Sequence, residues 1–494
     1  MNKLTSSFKA LITFILPSLL LTGSTLPSIV KKPNILFIFA DDQRADALGC
    51  AGNPYIQTPV IDQLAQEGVR FTRAYVMGGH HGAICMPSRA MLMSGKSLFN
   101  VYDKLDGVYT MPQHFAKHGY TTFGTGKWHN GGQTFEASFQ LGKDVFLGGM
   151  SDHFKVPVRD LDENGKLGEP TFKQYSTDVF TDAAIQFLSH HTQTNPEKPF
   201  FCYVAYTVPH DPRSPHPDYL STYPDGTIPI PGNYKPLPDF DHGDLTVRDE
   251  HLTDWPRSTK DIQASWSDYF ALITHMDTQI DRIIQTLKST GQYENTIIVY
   301  AADNGLAMGS HGLLGKQSLY EHSMKVPFII AGPGIPKNEV SHAFIYLYDL
   351  FPTLATLSGL PLPPQVDGMD HSAVVKGNKQ SLRASMFNAY RHTIRSVRTD
   401  EWKLILYPER DYTQVFNLKK DPLELHNLAG KSEYAAKEAE LMALLKKWQK
   451  ETHDTVTLTA AQILPMDYDP SSFQRKPDVH QPEYILNRYF RNND

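Results

Sequence analysis

Cys85 and Arg89 have residue types and a spacing that suit chemistry on an anionic ester. They stand in the stretch Cys-Met-Pro-Ser-Arg, with glycines before it and apolar residues after it. Pro87 suits the first turn of a helix, where a missing N–H costs nothing. Cys85 is therefore predicted at a helix N-terminus, where free N–H groups and the helix dipole favour a bound anion, and Arg89 lies one turn further along the same face. A buried thiol at the start of a structural helix would give the same pattern.

Further polar residues that could do chemistry follow four segments of strand length, three of them continuously apolar and one, residues 120–126, rich in small residues. These polar residues are Asp41, Asp42, Lys127, His129, His210, Asp303 and Asn304. Segments that are apolar on both faces predict central parallel strands, and open α/β sheets bind ligands at the carboxyl ends of their strands. Four such strand ends predict one pocket, whereas each residue taken alone also suits a turn, a helix cap or a solvated surface.

The oxygen donors in this set indicate a site for a hard divalent cation. Two aspartates follow the first of the four segments, and an Asp-Asn pair follows the last. Carboxylate and amide oxygens suit Ca²⁺ or Mg²⁺ better than zinc, which prefers histidine and cysteine in a tetrahedral arrangement. Because at least three carboxylates are present, Ca²⁺ is the favoured ion.

The elements that must position these residues indicate an α/β fold followed by a smaller unit. Apolar side chains at intervals of three and four residues predict a long helix over 260–290. From about residue 381, short alternating segments are typical of antiparallel strands, and a helix is predicted over 433–451. We expect a catalytic α/β domain over residues 29–380 and an α+β subdomain with an antiparallel sheet over residues 381–494.

Two further segments, a long loop and the C-terminal tail, have no regular pattern of apolar residues. The stretch 216–261 is rich in Pro, Asp and Gly. A long loop of this kind inside a domain is usually functional or disordered, and we expect it to form a wall of the pocket mouth. The tail from residue 455 carries Pro, Asp and aromatic residues and is predicted to wrap the surface of the molecule.

The N-terminus and the overall charge predict an exported protein that binds neither nucleic acid nor membrane. Lys3 and Lys9 precede an apolar run over residues 10–21, a pattern typical of a signal peptide, although an amphipathic structural helix is the alternative. The run is shorter than the ~20 residues that span a bilayer, and no cysteine follows closely as a lipid attachment site. Residues 1–28 are therefore assigned to a signal peptide, and the mature chain to the periplasm or the exterior. A formal net charge of −6 without a basic stripe argues against nucleic acid.

Cysteine usage does not establish a disulfide. The chain contains only Cys50, Cys85 and Cys202. If Cys85 has a chemical role, the other two remain, and their spacing leaves open whether they pair.

The motifs together resemble those of the type I (formylglycine-dependent) sulfatases of the alkaline phosphatase superfamily, especially exported bacterial enzymes that act on polysaccharides. The blocks N-I-L-F-I-F-A-D-D, C-M-P-S-R, G-K-W-H, V-P-H-D-P and A-A-D-N-G follow in the order of that family. V-F-N-L-K-K-D-P-L-E-L-H-N-L-A is similar to a block near many sulfatase C-termini. The resemblance implies an alkaline-phosphatase-like fold, with a central, mostly parallel sheet flanked by helices. It also implies that a formylglycine-generating (maturating) enzyme recognises C-M-P-S-R and oxidises Cys85.

The resemblance implies a role for each motif residue. Ca²⁺ would be bound by Asp41, Asp42, Asp303, Asn304 and the modified Cys85. Arg89 would stabilise the hydrated aldehyde, Lys127 and Lys316 would bind sulfate oxygens, and His129 and His210 would transfer protons. One hydroxyl of the hydrate would attack sulfur, with His210 or Lys316 protonating the leaving group. His129 would then take the proton of the second hydroxyl, so that sulfate leaves and the aldehyde is restored.

The expected reaction is hydrolysis of a sulfate monoester on a carbohydrate, a sulfated polysaccharide or its oligosaccharides. Candidate sugar contacts are His80, His153, Arg213, His311 and Arg391. A hydroxyl that often contacts this network in the family could be Thr134, Ser138 or Ser151. Algal polysaccharides and glycosaminoglycans both remain open as substrates, as do exo and endo action. The alternatives are a phosphonate or phosphate monoester hydrolase of the same superfamily and an inactive carbohydrate-binding homologue.

Overall fold

The central element of the molecule is a nine-stranded sheet, seen in a computed structural model that describes residues 31–490 together with residues 1, 7 and 10. The strands are β1 (Asn34–Ala40), β2 (Gly68–Tyr75), β3 (Gly78–Gly79), β4 (Thr121–Lys127), β5 (Leu141–Phe146), β6 (Val156–Val158), β7 (Thr171–Lys173), β8 (Phe200–Ala205), β9 (Thr296–Ala302), β10 (Lys325–Ala331), β11 (Glu339–Ser341), β12 (Ile345–Tyr346), β13 (Met386–Tyr390), β14 (Ile394–Arg398), β15 (Trp402–Tyr407) and β16 (Tyr412–Asn417). The helices are α1 (Pro59–Gln66), α2 (Cys85–Ser94), α3 (Met111–Lys117), α4 (Gly132–Ser138), α5 (Ser176–Thr194), α6 (Thr259–Ser289), α7 (Glu321–Met324), α8 (Leu350–Leu357), α9 (Ser372–Val375), α10 (Ala435–Thr452) and α11 (Glu483–Ile485).

The strand order of the central sheet is β11-β2-β10-β9-β1-β8-β4-β5, with β12 also paired to β2. Pairing is parallel except at β10, which lies antiparallel between β2 and β9. The predicted alkaline-phosphatase-like class, a mostly parallel sheet with helices on its faces, is therefore confirmed. Strand β2 was not predicted, because Arg70 and Arg73 interrupt its apolar pattern.

The side chains of β1 alternate between two hydrophobic cores. Ile35 and Phe37 face the core that contains side chains of α2 and α8. Leu36 and Ile38 face the core that contains those of α5 and α6. Because successive strand residues point to opposite faces, helices on both faces require the continuous apolar sequence of β1.

A second sheet has the strand order β16-β15-β14-β13-β3, and it is antiparallel apart from the parallel pair of β13 and β3. Helix α10 packs on it through Leu441 and Leu445. The antiparallel sheet is as predicted, but its last strand comes from residues just before Cys85. Gly78 allows this pairing because its φ is +120° and a Cβ there would lie 1.9 Å from the carbonyl oxygen of Ala389.

Other predictions have mixed outcomes. Residues from Lys32 onward form one compact unit, so the boundary between 29–380 and 381–494 stays a prediction. The signal peptide assigned to residues 1–28 lies outside the described residues, apart from three isolated positions. Among the helices of the described part, none is long and apolar enough to cross a membrane. Cys50 and Cys202 do not form a disulfide.

Candidate active site

The predicted residues converge at the carboxyl ends of four adjacent strands. Strands β9, β1, β8 and β4 are neighbours in this order, so the residues that follow them share one edge of the sheet. Helix α2 begins at Cys85 as predicted and brings Arg89 to the same edge. Lys316 arrives from the loop between β9 and α7.

Arg89 and Asp303 connect helix α2 to the sheet. The Arg89 guanidinium donates from Nε to Asp303 Oδ2 at 3.0 Å and from Nη1 to the carbonyl oxygen of Lys127 at 2.8 Å. The other oxygen of Asp303 accepts the backbone N–H of Asp42 at 3.0 Å. Ser88 donates to the Asp303 carbonyl oxygen at 2.6 Å. These contacts fix α2 to the ends of β1, β4 and β9.

Two lysines pair with the two aspartates that follow β1. Lys127 Nζ lies 2.5 Å from Asp41 Oδ2, and Lys316 Nζ lies 2.7 and 2.8 Å from the two oxygens of Asp42. Together with the Arg89–Asp303 pair, three cations offset three carboxylates, and all six side chains are buried. Buried charges of this kind persist only when they are paired.

The environment sets the protonation of these groups. Burial opposes ionisation of Asp303, but the neighbouring Arg89 and Lys127 outweigh it and lower its pKa. Burial and the adjacent Asp303 raise the pKa of Asp41 well above its usual range. Burial also opposes the charge on Lys316, yet Asp42 raises the pKa of its ammonium well above the ordinary value. Asp41 is therefore the carboxylate of the cluster whose negative charge is least stabilised by the protein itself.

Cys85 and His129 meet between α2 and the end of β4. Sγ of Cys85 lies 3.4 Å from Nδ1 of His129. Burial raises the pKa of the Cys85 thiol, so the unmodified side chain is a weak nucleophile despite its place at a helix N-terminus. Burial and the nearby Lys127 lower the pKa of His129 to about 2. A neutral imidazole is therefore directed at residue 85, and it can accept a proton.

His210 faces the cluster from the loop that follows β8. Its Nδ1 lies 2.7 Å from the carbonyl oxygen of Asp211, and its Nε2 lies 3.5 Å from Asp42 Oδ2. Burial and the cation of Lys316 lower the pKa of His210 well below its ordinary value. His153 fixes the backbone at this position, because its Nε2 is 3.2 Å from the carbonyl oxygen of His210.

The donor set fits a hard divalent cation. Ligand atoms of Asp41, Asp42 and His210 lie within 4.8 Å of one another, as do those of Asp41, Cys85 and Asp303. Asp41 Oδ1 and Asn304 Oδ1 are buried acceptors without a hydrogen-bond partner. Asn304 donates from Nδ2 to Asp42 at 2.7 Å, which fixes the orientation of its amide. Two unsatisfied buried oxygens beside carboxylates are what a calcium ion would satisfy.

The candidate sugar contacts divide into two groups. Arg391 lies over the loop before Cys85, since a Cβ on Gly82 would be 3.8 Å from its Nη2. Arg213 is buried close to Asp211 and has no hydrogen-bond partner for its Nε. The other three contact the protein: His80 contacts the carbonyl oxygen of Leu98 at 2.9 Å, His153 contacts Ser176 and His210, and His311 stacks on Tyr320 with ring centroids 4.0 Å apart. The sugar-binding roles of all five residues stay predictions.

None of the three candidate hydroxyls bonds to His129 or His210 in the described part of the structure, so that assignment stays a prediction. Thr134 accepts a hydrogen bond from the Trp128 indole at 3.1 Å. Ser138 bonds to Thr110, and Ser151 bonds to backbone carbonyl oxygens.

Sequence reasoning missed Gln317, which connects the two loops beside the pocket. Its Oε1 accepts the backbone N–H of Lys316 at 2.9 Å, and its Nε2 donates to the carbonyl oxygen of Gly82 at 2.9 Å and to Asp249 at 2.8 Å. Its position next to Lys316 in the chain is the signal that could have identified it.

Arg248 and Asp211 were also missed. The guanidinium of Arg248 binds both carboxylate oxygens of Asp211, one of them at 2.7 Å. Arg248 belongs to the stretch 216–261 that was predicted to line the mouth of the pocket. Its place in that loop and the position of Asp211 beside His210 were the available signals.

The fold and the site define an α/β enzyme whose buried active-site cluster pairs three cations with three carboxylates. A family model described as "Sulfatase" matches residues 33–360, and a second, "N-sulphoglucosamine sulphohydrolase, C-terminal", matches residues 309–451. The chain belongs to the sulfatase family. The predicted family and the predicted class of enzyme, a sulfuric ester hydrolase, are confirmed.

Relatives within this family resemble the chain over most of its length. An N-acetylglucosamine-6-O-sulfatase of Bacteroides thetaiotaomicron is 28% identical, and the match covers 86% of this chain and 87% of the relative. The structure of BT4656 in complex with its substrate D-glucosamine-2-N,6-O-disulfate has a TM-score of 0.72 at 27% identity and covers 86% of this chain and 99% of that one. BT1596, a 2-O GAG sulfatase, has a TM-score of 0.66 at 27% identity and covers 90% and 97% of the two chains.

Proposed function

We propose that this sulfatase removes sulfate from a carbohydrate, and that amino-sugar sulfates of glycosaminoglycan fragments are its substrates. The observation that carries the proposal is the position of Cys85, which lies between neutral His129 and the Asp41–Asp303 cluster. The sugar specificity is supported by the names of the relatives, which include an N-acetylglucosamine-6-O-sulfatase and a protein solved with a disulfated glucosamine.

Cys85 acts in this proposal after oxidation to formylglycine. The buried thiol has a raised pKa and is poorly suited to attack as a thiolate. The hydrate of formylglycine would supply a hydroxyl nucleophile and a second hydroxyl for release of sulfate. Its oxygens would occupy the place of Sγ, beside His129. A maturating enzyme that recognises C-M-P-S-R is the required partner.

Calcium would be held by the oxygen donors around β1 and β9. The proposed protein ligands are Asp41, Asp42, Asp303 and Asn304, and the modified residue 85 is a further ligand. When bound, the ion supplies positive charge that polarises the sulfate group and the nucleophile. The two unsatisfied oxygens of Asp41 and Asn304 support this assignment.

The fixed cations of the chain lower the barrier by binding the sulfate oxygens. A sulfate monoester resists attack because its oxygens repel a nucleophile and its alkoxide leaves poorly. Lys127 and Lys316 carry two ammonium groups within the buried pocket, where preorganised charge is worth more than in water. Arg89 holds Asp303 as a carboxylate and the start of α2 in place.

Two histidines and a lysine move the protons. His129 Nδ1 accepts a proton from residue 85, to which it is directed, because its ring is neutral. Lys316, whose ammonium keeps its proton beside Asp42, donates that proton to the sugar oxygen as the S–O bond to it breaks, either directly or by first protonating the neutral ring of His210. The sum is hydrolysis, in which the sulfate monoester and water give the free sugar hydroxyl and hydrogen sulfate.

Sulfate release from a panel of substrates tests this function. The panel contains N-acetylglucosamine 6-sulfate, sulfated glycosaminoglycan and algal oligosaccharides, an aryl sulfate and the corresponding phosphate monoester. We expect release from amino-sugar sulfates and its loss in Cys85→Ala, with formylglycine found by mass spectrometry of the peptide that contains residue 85. Preference for the phosphate by orders of magnitude, or an unmodified thiol together with sugar binding, would favour the alternatives.

We also propose that the mature protein works in the periplasm or outside the cell. The charged and apolar pattern of residues 1–28 supports export. Cell fractionation of the native host, with sequencing of the mature N-terminus, tests the proposal. A full-length chain in the cytoplasmic fraction would contradict it.

A further inference from the structure

The C-terminal tail lies beyond both matched family regions, which end at residues 360 and 451. It is nevertheless tied to the body of the molecule. Arg475 pairs with Asp261 at 2.6 Å, and Arg488 pairs with Asp268 at 2.8 Å and with Asp225 at 2.6 Å. The tail therefore packs against the same part of the molecule that contains the stretch 216–261 and helix α6.

The tail reaches the pair formed by Arg248 and Asp211. Asp478 accepts a hydrogen bond from Nε of Arg248 at 2.5 Å, and Gln481 donates from Nε2 to Asp211 at 3.3 Å. Nη1 and Nη2 of the same guanidinium bind the two oxygens of Asp211. The Arg248 side chain is only 26% exposed, so its charge depends on these carboxylates for compensation.

Asp211 in turn holds the ring of His210. Its carbonyl oxygen lies 2.7 Å from Nδ1 of His210, and its Oδ1 lies 3.4 Å from the same atom. The opposite nitrogen of the ring faces Asp42 in the pocket. An unbroken series of polar contacts therefore leads from Asp478 through Arg248 and Asp211 to the active-site side of His210.

We propose that the C-terminal tail is a positioning element of the active site, in which Asp478 and Gln481 hold Arg248 and Asp211 so that His210 keeps its orientation toward the substrate. The proposal rests on the proposed function for its kinetic consequences. Without Asp478, Arg248 keeps Asp211 but loses the contact that fixes its Nε edge, and Asp249 at 3.2 Å becomes a competing partner. When Arg248 turns toward Asp249, it moves Asp211 with it, and the contacts of Asp211 with the His210 ring are lost.

The double variant Asp478→Asn with Gln481→Ala tests this role. We expect kcat for sulfate release to fall about tenfold, the usual size of the loss when an oriented charged contact is removed, while KM changes little. The matched control is Asp225→Asn, which removes the ion pair between Asp225 and the tail's Arg488 but changes none of the residues leading to His210. It should behave as the wild type. Asp478→Glu, which keeps the charge, should restore part of the activity lost in Asp478→Asn.

A double-mutant cycle with His210→Ala shows whether the tail acts through this histidine. With an aryl sulfate as substrate, the tail substitutions should cause no further loss in the His210→Ala background. Equal losses in both backgrounds, or no loss in either, would overturn the proposal. Thermal unfolding of each variant shows whether a loss of activity merely follows a loss of stability.

Hydrogen exchange of the wild type and the variants provides a readout that does not depend on catalysis. The peptide that covers residues 201–215 should exchange faster in the Asp478→Asn, Gln481→Ala protein and at the wild-type rate in Asp225→Asn. Unchanged exchange in this peptide would refute the positioning role. If the wild type releases no sulfate from any substrate, the proposed function fails, and the exchange data still decide whether the tail positions His210.

Discussion

Nδ1 of His129 lies 3.4 Å from Sγ of Cys85, which joins the end of strand β4 to the first residue of helix α2. The φ angle of His129 is +70°, an unusual value for a residue other than glycine. Such strain persists where the surrounding structure imposes it. Here the strained residue is also the one whose imidazole contacts residue 85.

His129→Ala is expected to lower kcat by about 10²–10⁴-fold, the usual contribution of a general base. KM should change little, because the ring acts on residue 85 and not on the sugar. Steady-state kinetics of sulfate release measure both constants. His190→Ala, at an exposed position of α5, is the control and should leave both unchanged. A rise in KM alone would assign His129 to substrate binding.

Calcium is expected to stabilise the folded protein through Asp41. A ligand that binds only the native state raises its stability by about 2.7 kcal/mol at a hundred times its Kd. Chelator-treated protein should therefore melt at a higher temperature when Ca²⁺ is added, and sulfate release should return with it. Asp41→Asn should lose most of this shift, whereas Asp225→Asn should keep it. An equal shift in Asp41→Asn would place the ion elsewhere.

The sequence predicts those parts of the site that lie on strands buried on both faces. The predicted strand 296–302 has the same bounds as β9, because a fully apolar segment with a polar end is a local signal. Asp303 and its neighbours then meet the residues after β1 through the general geometry of parallel sheets. The start of α2 at Cys85 was similarly predictable from local residue types.

Pairing between distant segments could not be predicted in this way. Strand β3 consists of two glycines, and its partner β13 lies more than three hundred residues further on. The contact of Asp478 with Arg248 joins positions 230 residues apart, each of which resembles an ordinary surface charge in the sequence. Such contacts depend on the packing of the whole chain and leave no local pattern.

Gly78→Ala is expected to destabilise the protein by about 3 kcal/mol, within the range for a substitution that creates a steric clash at a constrained backbone position. The new Cβ would lie 1.9 Å from the carbonyl oxygen of Ala389 and separate β3 from β13. Urea unfolding measures the change. Gly107→Ala is the matched control, since its φ is +68° but no atom lies within 4 Å of the added Cβ. It should cost about 1 kcal/mol, and an equal cost at both positions would contradict the clash.

Asp277→Asn is expected to change how stability depends on pH. Asp277 accepts the backbone N–H groups of Val60 and Ile61 at the start of α1, and burial raises its pKa from 3.8 to about 7. Because the folded-state pKa is the higher one, the contribution of the protonated carboxyl is complete below about pH 4 and is lost as the pH rises through about 7.

The amide of the Asp277→Asn variant does not ionise and resembles the protonated acid. Relative to the wild type, the variant should therefore be more stable at about pH 8 than at about pH 4. Urea unfolding of both proteins at several pH values measures this difference. A difference that stays constant over this range would show that the carboxyl is already ionised in the folded state.

Arg391→Ala is expected to weaken binding of the sugar and to spare the chemistry at sulfur. Arg391 lies over Gly82 at the approach to Cys85 and pairs with Asp244 at 2.9 Å, while its side chain stays 35% exposed. We expect KM for a sulfated oligosaccharide to rise about tenfold, the loss typical of one charged hydrogen bond, with kcat nearly unchanged. KM for a small aryl sulfate should not change, because that substrate has no sugar to contact the guanidinium. Arg159→Ala, which removes a partly exposed arginine bonded to the carbonyl oxygen of Gly168, is the control. Equal effects on both substrates would assign Arg391 to sulfate binding instead.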